Sequence, residues 1–165
     1  MMSSHSDAKP MASLLPVGET WIVVASQHQA RIFRYLGLKS GLQLVEKIQH
    51  PEGKLLDREL GADRPGRSFS TFSHGGRSSY SDERSPHEEV AWDFARRLAS
   101  QLQAARGRNE FRALMLVAEA RFLGILKSCL DEQTTKILVA TLDREYHQKS
   151  SSELSRHIQQ YLLSA

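Results

Sequence analysis

The sequence lacks several features that would tie it to an oxidising compartment or to a membrane. Cys129 is the single cysteine among 165 residues, so an internal disulfide is excluded. It lies in the apolar stretch 122–130, where we expect an inert buried thiol that suits a reducing compartment. No stretch approaches the roughly 20 apolar residues that span a bilayer, and residues 1–17 do not have the pattern of a secretory signal. We therefore expect a cytoplasmic protein with no membrane insertion.

The common motifs of cofactor and nucleophile chemistry are also missing. Residues 75–78 (Gly-Gly-Arg-Ser) do not end in the Gly-Lys-Ser/Thr of a phosphate-binding P-loop, and no Gly-x-Ser-x-Gly nucleophile elbow occurs. The seven histidines show no pair at helical or zinc-finger spacing. Glu88 and Glu89 are adjacent, and adjacent helical residues point apart, so a working carboxylate pair is not expected. We therefore expect neither a metal site nor a cofactor.

The remaining composition is that of an ordinary globular protein with a slight positive excess. The chain has 22 basic and 19 acidic side chains, and the net charge of +3 is too small to imply nucleic-acid binding unless the charge is concentrated. Residues 1–18 hold four serines and two prolines and are predicted to be a disordered tail. Residues 19–165 have the length of a single domain with one core.

Apolar patterning predicts an α/β domain in which three strands come first and helices alternate with strands afterwards. Short polar turns separate the strands predicted at 20–25, 30–36 and 42–48, which favours an antiparallel meander. After the long loop 52–85, helices are predicted at 85–107, 120–130 and from 150, with strands at 111–118 and 136–142. Ser85 with Glu88, and Ser150 with Glu153, are capping boxes that open the first and last of these helices. Residues 137–139 could instead extend a helix from Asp131. The predicted order is βββ–loop–αβαβα, with helices packed against a mixed sheet.

The predicted loop has the composition of a site. Few apolar residues and no sustained period occur over residues 52–85, and a structureless segment of that length is functional or disordered in most domains. Its glycines allow close approach to another surface, its hydroxyls can donate, and its aromatic rings can stack on bases. We interpret it as a flexible RNA-binding loop, with a solvated loop that binds nothing as the alternative. The predicted RNA contacts are Arg64, Arg67, His74, Gly75, Gly76, Arg77 and Arg84.

Two short motifs and a helix pattern carry a family resemblance. They are Asp-Arg-Pro-Gly-Arg-Ser-Phe at 63–69, Gly-Gly-Arg-Ser at 75–78, and the helix that carries His87, Phe94 and Leu98. With the apolar run at 114–118, these residues resemble the bacterial host attachment protein family over most of residues 20–163. That family is in turn similar to the middle domain of archaeo-eukaryotic peptide-chain release factors. The resemblance implies an RNase H-like sheet, a long loop and then a long helix.

In release factors the loop holds Gly-Gly-Gln, which positions the water that hydrolyses peptidyl-tRNA. By resemblance the matching residues here are Gly75, Gly76 and Arg77, which are the positions that the resemblance offers as catalytic. An arginine side chain has only donors and a fixed charge, so it can clamp a phosphate but cannot act as a base. We therefore expect docking on the ribosome or tRNA without efficient hydrolysis. A regulatory protein-interaction module that affects attachment to host cells is the alternative. The sequence does not determine the oligomeric state.

Overall fold

The structure, a computed structural model, describes residues 14–50 and 84–164. Strands β1 (Thr20–Ala25), β2 (Gln29–Tyr35) and β3 (Leu42–Gln49) come first. Helix α1 (Pro86–Gly107) is followed by β4 (Ala113–Ala118), α2 (Ala120–Cys129) and the short α3 (Glu132–Lys136). Strand β5 (Leu138–Asp143) and helix α4 (Ser151–Ser164) complete the described part of the chain.

The five strands form one mixed sheet in the order β3-β2-β1-β4-β5. Antiparallel pairing joins β1 to β2 and β2 to β3, whereas β4 lies parallel to both β1 and β5. Short turns suffice for the antiparallel pairs, and the parallel pairs need the helical crossovers through α1 and α2. This arrangement confirms the predicted α/β class and the mixed sheet with helices packed on it.

Strands β1 and β4 lie at the centre of the sheet, where every one of their residues is buried. One face of the sheet, carrying Trp21 and Val23 of β1, packs against α1 and α2. The opposite face, carrying Ile22 and Val24, packs against α4. Because both faces are covered, these two strands are continuous apolar runs and do not alternate with polar residues.

Capping boxes set the first residues of helices α1 and α4. Ser85 Oγ accepts from the Glu88 amide, and a Glu88 carboxylate oxygen accepts from the Ser85 amide, so the predicted capping box opens α1. The second predicted box is also present. Ser150 Oγ accepts from the Glu153 amide, and a Glu153 carboxylate oxygen accepts from the Ser150 amide. Both helices therefore begin where their sequences specify.

The sequence left open whether residues 137–139 form a strand or extend a helix from Asp131, and the structure shows a short helix that ends at Lys136 and a strand that begins at Leu138. Asp131 caps α3 by accepting from the Thr134 amide at 2.8 Å, and β5 then begins at Leu138. The strand predicted from residue 111 begins two residues later, at Ala113. Phe111 packs instead against Trp21, with ring centroids 4.6 Å apart, and it stays in the core outside the strand ladder.

The N-terminal boundary predicted after residue 18 lies inside a packed segment. Leu15 is 2% exposed and contacts the sheet face under α4. The Gly18 amide donates to the Tyr35 carbonyl, and the Thr20 hydroxyl donates to the Pro16 carbonyl. Residues 14–18 are thus held by an apolar anchor and by hydrogen bonds, whereas residues 1–13 of the tail predicted for residues 1–18 lie outside the described residues.

Candidate functional site at the carboxyl edge of the sheet

A cavity of about 570 Å³ opens at the carboxyl ends of the three parallel strands. Ser26 follows β1, Glu119 follows β4, and Glu145 lies two residues beyond β5, and all three line the cavity. The first residues of α1 and α2 complete its wall. In open α/β sheets this edge is where ligands bind, because loops from several strands meet there.

The turn after β1 is rigid and brings a histidine to the cavity. Ser26 Oγ accepts from the amides of His28 and Gln29, at 3.1 and 3.3 Å. The His28 carbonyl accepts from the His50 amide at 2.8 Å, which joins the end of β3 to the same turn. The position of His28 on the cavity wall is therefore set by backbone hydrogen bonds.

The segment after β5 is held against β2 and supplies a second histidine. The His147 carbonyl accepts from Gln29 Nε2 and from a terminal guanidinium nitrogen of Arg31, both at 3.0 Å. The imidazole Nδ1 of His147 is buried without a hydrogen-bond partner among the residues that the structure describes. Burial lowers the pKa of His147, and the positive field of nearby His28 and Arg31 acts in the same direction while Glu145 opposes it. This imidazole is therefore neutral at pH 7.

Most of the charge at the helix starts is already neutralised by neighbouring groups. Glu88 Oε2 lies 2.5 Å from a guanidinium nitrogen of Arg121, so the pair joins α1 to α2. The Glu119 carboxylate accepts from the Arg121 and Phe122 amides at 2.8 and 2.9 Å. The prediction that Glu88 acts as a cap is confirmed, and the neighbouring Glu89 pairs with Arg84 and Arg96.

Both ends of the predicted loop are held by the same helix. At one end, His50 is 4% exposed, its ring stacks on Phe94 with centroids 5.0 Å apart, and its Nδ1 lies 3.0 Å from Arg97 Nη1. At the other end, the Arg84 guanidinium lies 4.2 Å from the centroid of the Trp92 ring. With a rise of about 1.5 Å per residue, Trp92 and Arg97 are separated by about 8 Å along the helix axis. Residues 50 and 84 are therefore anchored on neighbouring turns of α1.

Arg84 is the predicted RNA contact that falls in the described part of the chain. Its guanidinium packs on Trp92 and lies 3.6 Å from a Glu89 carboxylate oxygen, so part of its charge is already engaged on α1. The neighbouring Ser85 lines the cavity. The other predicted contacts lie outside the described residues: Arg64, Arg67, His74, Gly75, Gly76 and Arg77. Their roles stay predictions.

The sequence interpretation did not single out the residues that the structure brings together here. His28 and His147 were set aside because their spacing fits neither a helix nor a zinc finger, yet the sheet places both on the cavity wall. Within residues 14–50 and 84–164, no cluster of three or more His, Cys, Asp or Glu is arranged to hold a metal ion. The signal that could have identified the site is that His28 and His147 follow the ends of strands β1 and β5 within four residues.

Two further observations concern the single cysteine and the helices. Cys129 is half-buried, and burial raises the pKa of its thiol, which agrees with the prediction of low reactivity. Across the described ranges, none of the helices has the length and apolar character that crossing a membrane requires.

Comparisons with known proteins place the chain in a family. Among solved structures, the archaeal translation termination factor aRF1 superposes with a TM-score of 0.44 and 10% sequence identity, over 87% of this chain and 34% of that one. A structure described as an archaeal protein gives a TM-score of 0.41 and 12% identity, over 87% and 37%. The chain thus spans about a third of the length of these two structures. No curated protein matches the sequence. A family model described as "Protein required for attachment to host cells" matches residues 21–158, and the chain therefore belongs to this host attachment family.

Proposed function

We propose that the protein associates with the ribosome or with tRNA through the Arg/Gly-rich segment 61–85, without efficient hydrolysis of peptidyl-tRNA. The observation that carries this proposal is the anchoring of residues 50 and 84 on neighbouring turns of α1. Residues on either side of the arginine- and glycine-rich segment thus contact one helix, beside a cavity at the carboxyl edge of the sheet. Binding groups on a connecting segment that a rigid scaffold positions are a frequent arrangement in proteins.

The chemistry of the segment supports a phosphate-rich partner. Guanidinium groups bind phosphate through two parallel hydrogen bonds, and glycines allow the backbone to approach closely. By the resemblance, Arg77 matches the glutamine of release factors, and an arginine offers a phosphate clamp but no proton acceptor. Docking is therefore favoured over hydrolysis. An effect on attachment to host cells would then be indirect, through translation.

The test is co-sedimentation with ribosomes over a range of salt concentrations. The triple variant Arg64→Ala, Arg67→Ala, Arg77→Ala should bind more weakly, with a slope of log K against log salt that is shallower by about 2–3, since each phosphate contact contributes about 0.7–0.9. The matched control is Lys127→Ala, Lys136→Ala, Arg156→Ala. It removes the same charge from exposed positions on α2, α3 and α4 and should leave the slope unchanged.

Three results would contradict the proposal. The wild-type chain could remain in the supernatant at low salt, or both triple variants could weaken binding equally, which would indicate a general effect of charge. Hydrolysis of peptidyl-tRNA above the rate in buffer would contradict the part that excludes efficient catalysis. Capture of a protein partner that survives nuclease treatment, with no ribosome binding, would favour a regulatory interaction module.

A further inference from the structure

The cavity at the carboxyl edge lies where the direction of the chain connections reverses. From β1 the chain continues to β2 on one side, whereas β4 and β5 extend the sheet on the other side. Because the connections diverge there, they leave a crevice beyond the strand ends. Its volume of about 570 Å³ falls within the range of roughly 300–1,000 Å³ that is usual for small-ligand sites.

The groups around the cavity disfavour a phosphate as its occupant. At the start of α1 the Glu88 amide donates to the Ser85 side chain, and at the start of α2 the Arg121 and Phe122 amides donate to the Glu119 carboxylate. Arg121, the arginine on the wall, is paired with Glu88 at 2.5 Å. The carboxylate of Glu145 adds a negative charge at the rim. An uncharged ligand fits this wall better than an anion does.

The remaining lining combines an apolar wall with neutral hydrogen-bonding groups. Ala91, Phe122 and Ile125 supply the apolar part. Gln27 and Gln148 each offer a donor and an acceptor, and His147 also lines the cavity. With its pKa lowered by burial, His147 presents one donor and one acceptor nitrogen at pH 7. A flat ring with both donors and acceptors on its edge matches these groups.

We propose that the cavity binds a single unstacked nucleobase of RNA, with one face toward the apolar wall of Phe122 and Ile125 and its edge toward Gln27, Gln148 and His147. This inference rests on the proposed function, because it identifies which part of an RNA enters the protein. Single-stranded RNA is recognised in this way, through bases that leave the stack and expose their pairing edges.

The experiment uses the full-length chain with selectively labelled histidines and follows the imidazole signals by NMR. AMP, GMP, CMP and UMP are titrated separately, and ribose 5-phosphate serves as the matched probe without a base. At least one nucleotide should cause saturable shifts of the His28, His87 and His147 signals, whereas His157 and ribose 5-phosphate should show none. Gln148→Ala should weaken binding about two- to tenfold, the factor that corresponds to one lost hydrogen bond. His147→Ala should do the same.

The control variant is Gln160→Ala, which removes an equally exposed glutamine from α4 and should leave the affinity unchanged. Gln148 is exposed, so its replacement leaves the core intact and its result does not depend on the stability of the His147 variant. The inference is overturned if no nucleotide shifts the three histidine signals, if ribose 5-phosphate shifts them equally, or if Gln148→Ala and Gln160→Ala behave alike. Failure here with intact ribosome co-sedimentation would leave the proposed function standing. Nucleotide binding without co-sedimentation would support the cavity and contradict the docking proposal.

Discussion

At the scale of single residues, the environment of a side chain decides what its chemistry can do. Arg31 and Arg84 are both arginines, yet Arg31 is half-buried and holds the His147 carbonyl, whereas Arg84 lies on a tryptophan at the surface. Burial lowers the pKa of Arg31, although it remains charged because an arginine pKa starts so high. The sequence predicted Arg84 as a contact because of its neighbours and gave no reason to select Arg31. Its role depends on a segment that follows more than 100 residues later in the chain.

His147 should make the stability of the protein sensitive to mild acid. Its pKa in the folded chain lies below the unfolded value of 6.5, so the unfolded chain takes up a proton first as the pH falls. The contribution of neutral His147 to the free energy of unfolding is complete above about pH 6.5. It is lost as the pH falls from there toward the lower pKa of the folded chain. We expect the melting temperature to fall less between pH 7 and pH 5 in His147→Gln than in the wild type. Thermal unfolding at several pH values measures this.

The control variant for that experiment is His157→Gln, because His157 is not among the residues that line the cavity. His157 lies on α4 beside Tyr146, with ring centroids 4.9 Å apart. Equal pH dependence in the wild type and in His147→Gln would contradict the assignment of the effect to His147.

At the scale of elements, local sequence defines where helices begin more firmly than where strands begin. Ser85, Pro86 and Glu88 specify the start of α1 because the cap, the fixed proline φ and the reciprocal carboxylate all act within four residues. Strand β4 was predicted from Phe111 because that residue is apolar, but the ladder begins at Ala113. Asn109, with a φ of 64°, turns the chain there, and Phe111 fills a space beside Trp21. No pattern in the local sequence indicates that Phe111 packs beside Trp21 and lies outside the strand.

The capping box gives a prediction that belongs to α1. Ser85→Ala removes the side-chain acceptor for the Glu88 amide and should lower the free energy of unfolding by about 1 kcal/mol. Ser100→Ala makes the same change at an exposed position in the middle of the same helix and should be neutral or slightly stabilising, since alanine has the higher helix propensity. Urea unfolding followed by circular dichroism measures both. Equal effects of the two substitutions would mean that the box does not stabilise α1.

At the scale of the whole molecule, the stability depends on two apolar layers, one on each face of the sheet. Helix α4 covers the second face with Leu154, Ile158 and Leu162, which are at most 1% exposed. The spacing of four residues between them predicted an amphipathic helix. The face of the sheet that the helix covers is known only from the structure.

Two leucines of α4 test this layer with the same substitution. Leu154 is fully buried, so Leu154→Ala should cost about 2–5 kcal/mol of unfolding free energy through lost burial and the cavity left behind. Leu163 is 69% exposed, and Leu163→Ala should stay within about 0.5 kcal/mol of the wild type. The midpoints of urea unfolding give both values. A loss below 1 kcal/mol for Leu154→Ala would contradict the packing of α4 on the sheet.

The sequence by itself determined the class of the fold, both capping boxes and the order of its elements apart from the short α3. These features arise from apolar periodicity and from hydrogen bonds between residues that are close along the chain. It also marked the Arg/Gly-rich segment, whose predicted contacts outside the described residues remain predictions. The tertiary structure alone decided the cavity, because Ser26, Glu119 and Glu145 meet only when the ends of three parallel strands come together. No local sequence pattern predicts a contact between residues about 120 positions apart. The order of the strands in the sheet brings these residues together.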